Sequence, residues 1–181
     1  LGSCSGKPYF RGPSGTWVSE RCGDEMSVGM TKFYRTECFQ DIGGFVQEVM
    51  WDGIDCHKAR QKGWIVHSWD APALRFEHLR PMGSSDNGVL IGRIRHGFGQ
   101  YYMGSDPMYF TATALYRMSQ RPYVLSGLAM LWGYFSAAVR SLPRHSDPEL
   151  RAFIRDYQRR ALVVGKRKAI AAQEAPSSKP R

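Results

Sequence analysis

Asp-x-Asp acid pairs, closely spaced cysteines and a long unbroken apolar segment are all missing from these 181 residues, and each absence narrows the chemistry. Cys4, Cys22, Cys38 and Cys56 fall 18, 16 and 18 residues apart. That spacing fits no short-range zinc pattern and is expected of free thiols in a reducing compartment. The uncharged run over residues 123–139 is 17 residues long, at the lower limit for crossing a bilayer. The opening Leu-Gly-Ser-Cys-Ser-Gly holds no charged and then apolar run, so no secretion signal is expected. It also lacks methionine, which leads to the expectation of a later part of a longer chain. No internal repeat and no recognisable nucleic-acid module is present, and no nucleic-acid partner is expected.

The chain carries a net charge of +9, unevenly spread. Residues 140–181 hold eleven Lys or Arg against four Asp or Glu, or +7, leaving +2 for residues 1–139. The positive charge therefore lies beside the apolar run, where anionic lipid is a better fit than nucleic acid. Three readings of residues 123–139 stand open: a helix in the lipid interface, a helix hairpin packed on protein, or a spanning segment. In the first, Tyr123, Trp132 and Tyr134 sit at headgroup depth. An amphipathic helix is expected over residues 88–102, with Leu90, Ile91, Ile94, Phe98, Tyr101 and Tyr102 on one stripe and Arg93, Arg95 and His96 off it. Further helices start at Asp106-Pro107 and at Asp147-Pro148. Past Gly165 the tail is low in apolar content and expected to be disordered.

Residues 51–64 carry the clearest local signal. Asp52 near the start, Lys58, Arg60 and Lys62 toward the end, and then Gly63 describe a short helix matched to its own dipole. Trp64 to Trp69 then turns β-branched and aromatic, so a strand follows directly. Asp52 reads either as a capping carboxylate or as a base facing a cleft. Upstream, residues 1–25 are rich in Gly, Ser and Pro and are expected to be loop with one short strand over residues 16–19. Met26 to Arg35 reads as a buried strand and Thr36 to Ile42 as a short helix stopped by Gly43-Gly44. Tyr9 and Trp17 either stack on a sugar ring or plug a gap over the sheet. Strands over residues 65–69 and 73–78 flank the turn Asp70-Ala-Pro72, and His78 ends the second.

Three stretches in order resemble glycosyltransferase family two, of the GT-A fold. Gly29-Met-Thr-Lys-Phe-Tyr-Arg35 with Phe39-Gln-Asp-Ile-Gly-Gly-Phe45 is similar to the family's strand, short helix and Gly-Gly-aromatic turn. Trp51-Asp52, Lys58, Arg60 and Gly63-Trp64 stand where the family carries Glu-Asp, a basic residue and a Gly-aromatic pair. Ala73-Leu-Arg-Phe-Glu-His78 is similar to its last core strand. Trp51 departs from the pattern, replacing an acid.

The resemblance implies an α/β chain: the acceptor-side half of a GT-A domain over residues 1–87, a helical membrane-interfacial region over 88–164 and a basic tail over 165–181. It implies inverting transfer of a sugar from a nucleotide-diphospho-sugar donor to a lipid-linked or saccharide acceptor, in exopolysaccharide or cell-envelope synthesis. Asp52 is then the general base, Trp51, Arg80, Tyr34 and Trp17 contact substrate, and His78 helps hold Mg2+ or Mn2+. An anionic membrane surface is the expected partner, and the expected location is cytoplasmic, peripheral at the inner face of the cell membrane. The alternative is a non-catalytic, membrane-associated carbohydrate-binding or scaffold protein. The nucleotide platform and its Asp-x-Asp have no counterpart in residues 1–50, where Asp24-Glu25 is the one adjacent acid pair, so the donor half is expected to be absent.

Overall fold

Two small three-stranded sheets share the N-terminal segment as their middle strands, contrary to the loop expected there. The computed structural model describes residues 1–12, 14–20, 22–79, 88–120 and 122–174. Strand β1 (Ser3–Ser5) lies between β4 (Phe33–Tyr34), antiparallel, and β5 (Val66–Ser68), parallel. Strand β2 (Lys7–Arg11) lies between β3 (Trp17–Ser19), antiparallel, and β6 (Arg75–Glu77), parallel. Registers run Ser3↔Val66 to Ser5↔Ser68 and Lys7↔Arg75 to Tyr9↔Glu77, so one break separates two parallel ladders. Gly6 is that break: a Cβ there would lie 1.8 Å from the Leu74 carbonyl oxygen, where the turn before β6 crosses the strand. Composition missed β1 and β2 because central strands take their stability from neighbours more than from their own propensity. The small Ser3 and Ser5 are buried here, and Ser3 shares a hydrogen bond with Ser27 at 3.0 Å.

The segment expected as a buried strand from Met26 to Arg35 is mostly irregular, with a single 3-10 turn over Gly29–Thr31 and strand only at β4. Helix α1 (Thr36–Asp41) follows, and Gly43 and Gly44 both take positive φ, 73° each, to reverse the chain. Helix α2 (Trp51–Gln61) runs between the expected limits and is closed by Gly63 at φ 84°. It packs Cys56 and Ala59 against Cys38, Ile42 and Val66 of the first sheet's layer. Its other side carries Ile54 into a cluster with Met103, Leu150 and Ile154.

Those last partners belong to a helical layer: α3 (Val89–Tyr102), α4 (Pro107–Met118), α5 (Leu125–Val139) and α6 (Pro148–Val164). Asp106 and Asp147 cap α4 and α6, each accepting two backbone N–H bonds, with proline at the first helical position. Helix α3 buries Tyr101 of the expected apolar stripe together with Gly92, Gly97 and Gly99, with Gly97 against α5 and Gly99 against Met50, whereas Leu90 and Ile91 of that stripe are exposed. Helix α5 is a packed helix, burying Ser126, Gly127, Met130, Gly133, Tyr134 and Ala137. Tyr134 is therefore core, stacked on Phe110 at 4.6 Å, and does not face outward with Trp132. Among the described residues no helix is long and apolar enough to cross a membrane.

Part of the tail expected to be disordered is a helix, α7 (Lys166–Glu174), which buries Ala169 and Ile170 against Tyr157 and Ala161 of α6. Glu174 reaches Arg60 of α2 at 3.7 Å and ties the tail back to the centre. The four cysteines are free thiols.

Candidate active site

Helix α2 opens into a cleft of about 700 Å3, and Asp52 lines it. The residue before the helix, Met50, adopts the left-handed conformation (φ 69°, ψ 20°) with no side-chain cap. Such a backbone costs a non-glycine residue about 1–3 kcal/mol and persists only where the surroundings impose it. Gly99 of α3 makes room for the Met50 side chain: a Cβ there would come within 2.4 Å of Met50 Cγ, so only glycine lets the helix press so close. Asp52 occupies the first turn, where Gly53 N–H donates to its Oδ1 at 3.0 Å. One carboxylate oxygen is thus anchored at the positive end of the helix dipole. Asp52 is not the helix cap, which falls at Met50; it is a carboxylate in the first turn, bound by the next residue's N–H, that lines the cavity. Gly29 forms the opposite lip; a Cβ there would meet Trp51 at 3.0 Å.

Beneath this mouth lies a buried polar network built on Lys32 and Asp55, with side chains 1% and 0% exposed. Lys32 Nζ donates to the Asp52 carbonyl at 2.7 Å, lies 3.8 Å from Asp55 Oδ2 and stands 5.6 Å over the Trp51 ring. Tyr34 donates its hydroxyl to Asp55 Oδ2 at 2.6 Å. Burial, and then the hydrogen bond to Asp55, push the Tyr34 phenol well above its usual range, so it remains a donor. Burial raises Asp55 against the opposing pull of Tyr34 and Lys32. One lysine thus holds the backbone of the candidate base, the aromatic beside it and the carboxylate one turn on.

The predicted site residues divide between two places. Asp52 and Trp51 line the cleft together, and Trp51 is braced edge-on by Phe45 at 5.1 Å. Tyr34 belongs to the network below and is not among the cleft's lining residues. His78 is likewise not among them; it follows β6, where its Nδ1 pairs with Glu20 Oε2 at 2.8 Å. Glu20 follows β3, so the strands on either side of β2 bring the two groups together. Trp17 stands on β3, with the Arg11 guanidinium over its ring at 4.6 Å and Tyr9 edge-on at 6.3 Å. Arginine covers one face of the indole, and Trp17 is 48% exposed. Arg80 lies outside the described residues.

A divalent metal at His78 needs further donors beside the imidazole. Mg2+ asks for near-octahedral coordination, mostly by oxygen, and only Glu20 is paired with His78. Among the described residues no three His, Cys, Asp or Glu gather to hold a metal ion. The described residues do not complete such a site.

Sequence reasoning missed four residues that matter here: Lys32, Asp55, Glu48 and Arg95. Asp55 had a signal, since it follows Asp52 at i,i+3 and shares its helix face. Arg95 had a weaker one in falling off the apolar stripe. Glu48 and Lys32 come to the mouth of α2 by chain reversals that no local periodicity encodes. No known protein family, no curated protein and no solved structure matches this chain.

Proposed function

We propose that this chain is the acceptor-side half of an inverting glycosyltransferase of family two, with a GT-A fold. It moves a sugar from a nucleotide-diphosphate donor to a hydroxyl of a lipid-linked or saccharide acceptor in exopolysaccharide or cell-envelope synthesis. The observation that carries the reading is Asp52, a carboxylate at a helix start with one oxygen anchored to Gly53 N–H, lining an open cleft beside an aromatic ring. Asp52 takes the proton of the acceptor hydroxyl as that oxygen bonds to the anomeric carbon; the bond to the diphosphate oxygen breaks on the opposite face, and configuration inverts. Trp51 offers an apolar ring for a sugar face. Tyr34 supports the site through Asp55 and Lys32 and does not contact the substrate.

The nucleotide platform lies outside the elements described above, and no step is routed through Mg2+ or Mn2+. His78 remains the chain's proposed contribution to that ion, through Nε2, because Nδ1 is committed to Glu20. The proposed partner surface is anionic lipid at the inner face of the cell membrane, met by the exposed side of α5. That exposed side also favours the second reading, a membrane-associated carbohydrate-binding scaffold without turnover.

Sugar transfer by the full-length protein and its Asp52→Asn variant separates the two. A lost general base lowers kcat by about 100- to 10,000-fold, with thermal stability nearly unchanged. Undiminished turnover in Asp52→Asn overturns the base assignment.

A further inference from the structure

Helices α3 and α5 run side by side in the same direction: Gly97 meets the Met130 carbonyl, Gly133 meets Ile94, and further on Tyr101 reaches Tyr134 and the Leu142 carbonyl. One turn before Gly97, Arg93 therefore comes to the turn of α5 that holds Ser126 and Gly127. From the other side Gly127 is met by Met118 of α4, next to Arg117. His96 lies three residues from Arg93 on α3. Arg117 is close enough to both to add to the lowering of their pKa by burial, and Arg93 acts on His96 in the same way. No carboxylate answers this charge. Asp106 is the one acid between residues 88 and 140, and it is bound to the start of α4 and to Arg159. Arg117 donates to neutral Gln120 at 2.7 Å, while Arg93 Nε and the fully buried Ser126 Oγ have no hydrogen-bond partner among the described residues.

The first turns of α3 and α5 open at this same end, neither with a side-chain cap, so the positive ends of two helix dipoles add to the field. Around it the surface is apolar. Leu90, three residues from Arg93 on α3, and Tyr123, Val124 and Leu125, where α5 begins, are all exposed. We infer that Arg93, His96 and Arg117 form a headgroup site for an anionic glycerophospholipid, with the phosphate between the two guanidinium groups and the acyl chains over the apolar rim. A free phosphate carries the same charge and leaves the rim uncovered. The inference rests on the anionic-lipid surface proposed above and is independent of Asp52: Arg93 and Gly97 turn toward α5, whereas Arg95 and Gly99 turn toward the start of α2.

Calorimetric titration of the full chain with dihexanoyl phosphatidylglycerol, below its micellar concentration, tests the site, with dihexanoyl phosphatidylcholine and inorganic phosphate as comparison ligands. Phosphatidylglycerol binds at least about 10-fold more tightly than phosphatidylcholine, as one charge-assisted contact implies, and more tightly than inorganic phosphate because of the rim. Arg93→Gln and Arg117→Gln each remove the preference for the anionic headgroup. Both delete a cation without a carboxylate partner, so both variants fold as the parent does. Arg160→Gln, an exposed charge on α6 paired with Asp156, leaves the preference intact. A preference that survives both substitutions overturns the inference, as does an absence of phosphatidylglycerol binding. Inorganic phosphate bound as tightly as phosphatidylglycerol also overturns it, and assigns the cluster to a free anion. Cosedimentation with phosphatidylglycerol vesicles keeps this failure apart from that of the lipid surface. If Trp132→Ser releases the protein from the vesicles while Arg93→Gln leaves the headgroup preference unchanged, the surface stands and the headgroup site falls. If the protein ignores vesicles while Arg93-dependent binding of the short-chain lipid persists, the reverse holds.

Discussion

Gly133 of α5 meets Ile94 of α3 so closely that a Cβ on the glycine would lie 2.1 Å from the isoleucine carbonyl oxygen. Gly97 makes the reciprocal contact, 2.1 Å from the Met130 carbonyl oxygen. Backbone is pressed on backbone, and no side-chain rotation can relieve an added methyl. Overpacking of a core costs typically about 1–3 kcal/mol, and helix propensity returns about 1 kcal/mol when Ala replaces Gly. We expect Gly97→Ala and Gly133→Ala each to lower unfolding free energy by up to about 2 kcal/mol in urea titration. Gly53→Ala is the opposite case, since its nearest neighbours, two methionine methyls, would lie 3.7 Å away. That variant gains about 0.5–1 kcal/mol.

The Lys32, Asp55 and Tyr34 network makes a second prediction. Removing one partner leaves a buried charge uncompensated, which costs about 3–5 kcal/mol, whereas replacing a whole pair by apolar groups is often near neutral. Lys32→Met should therefore destabilise strongly, and adding Asp55→Leu should restore much of the loss. Tyr34→Phe, which deletes one hydrogen bond, should cost about 1–3 kcal/mol. A double-mutant cycle by urea unfolding checks all three. Additive single effects for Lys32 and Asp55 would show that the pair is not coupled.

How far the sequence discloses this arrangement depends on where each piece of information is kept. The limits of α2 are written locally, in Asp52, Lys58, Arg60 and Gly63, and so are the caps Asp106 and Asp147. The middle strands β1 and β2 are not, because Ser3, Ser5 and Pro8 carry little strand propensity and gain it from β5 and β6, more than fifty residues on. The glycines of α3 look like flexibility in the sequence and prove to be points of close approach, Gly97 to α5 and Gly99 to Met50. The candidate base was legible from its helix start, whereas its supports Lys32 and Asp55 needed the fold. The aromatics of residues 123–139 were visible as a set, but which of them turn inward depends on α3 and α4.

Stability should fall in mild acid because of His57 on α2. It is buried against Tyr157 at a ring distance of 5.5 Å, and burial, then Arg60 and Lys32, push its pKa down from 6.5 to about 3. His96 is lowered in the same way to about 4, with Arg117 and Arg93 adding to burial. Between these values and 6.5 the unfolded chain binds protons that the folded chain refuses. Stability therefore decreases as pH falls through that window, by up to about 1.4 kcal/mol per pH unit for each histidine. Urea unfolding at pH 7.0, 5.5 and 4.5 measures the slope, and His57→Gln should flatten it. An unchanged unfolding free energy over this range would count against the burial of His57 and the partial burial of His96.

The outward face of α5 supplies the last prediction. Leu125, Leu128, Trp132, Phe135 and Val139 are all exposed, at alternating spacings of three and four, and so form one stripe opposite the buried Met130, Gly133 and Ala137. Val139 is 85% and Trp132 67% exposed, and Met108 and Leu115 of the adjoining α4 extend the apolar surface. Arg140 follows directly at the helix end, where a cation suits both the dipole and an anionic headgroup. A stripe of this kind beside positive charge is the form of a helix lying in the lipid interface. We expect cosedimentation with vesicles containing anionic lipid, weakened by salt because the arginine contribution is screened over about 10 Å at 0.1 M. Trp132→Ser should weaken it by about 10-fold or more, since burying one large side chain contributes about 1.5–3 kcal/mol. A protein found wholly in the supernatant at low salt would refute the lipid assignment. Concentration-dependent dimerisation abolished by Trp132→Ser would transfer the stripe to a second copy of the chain.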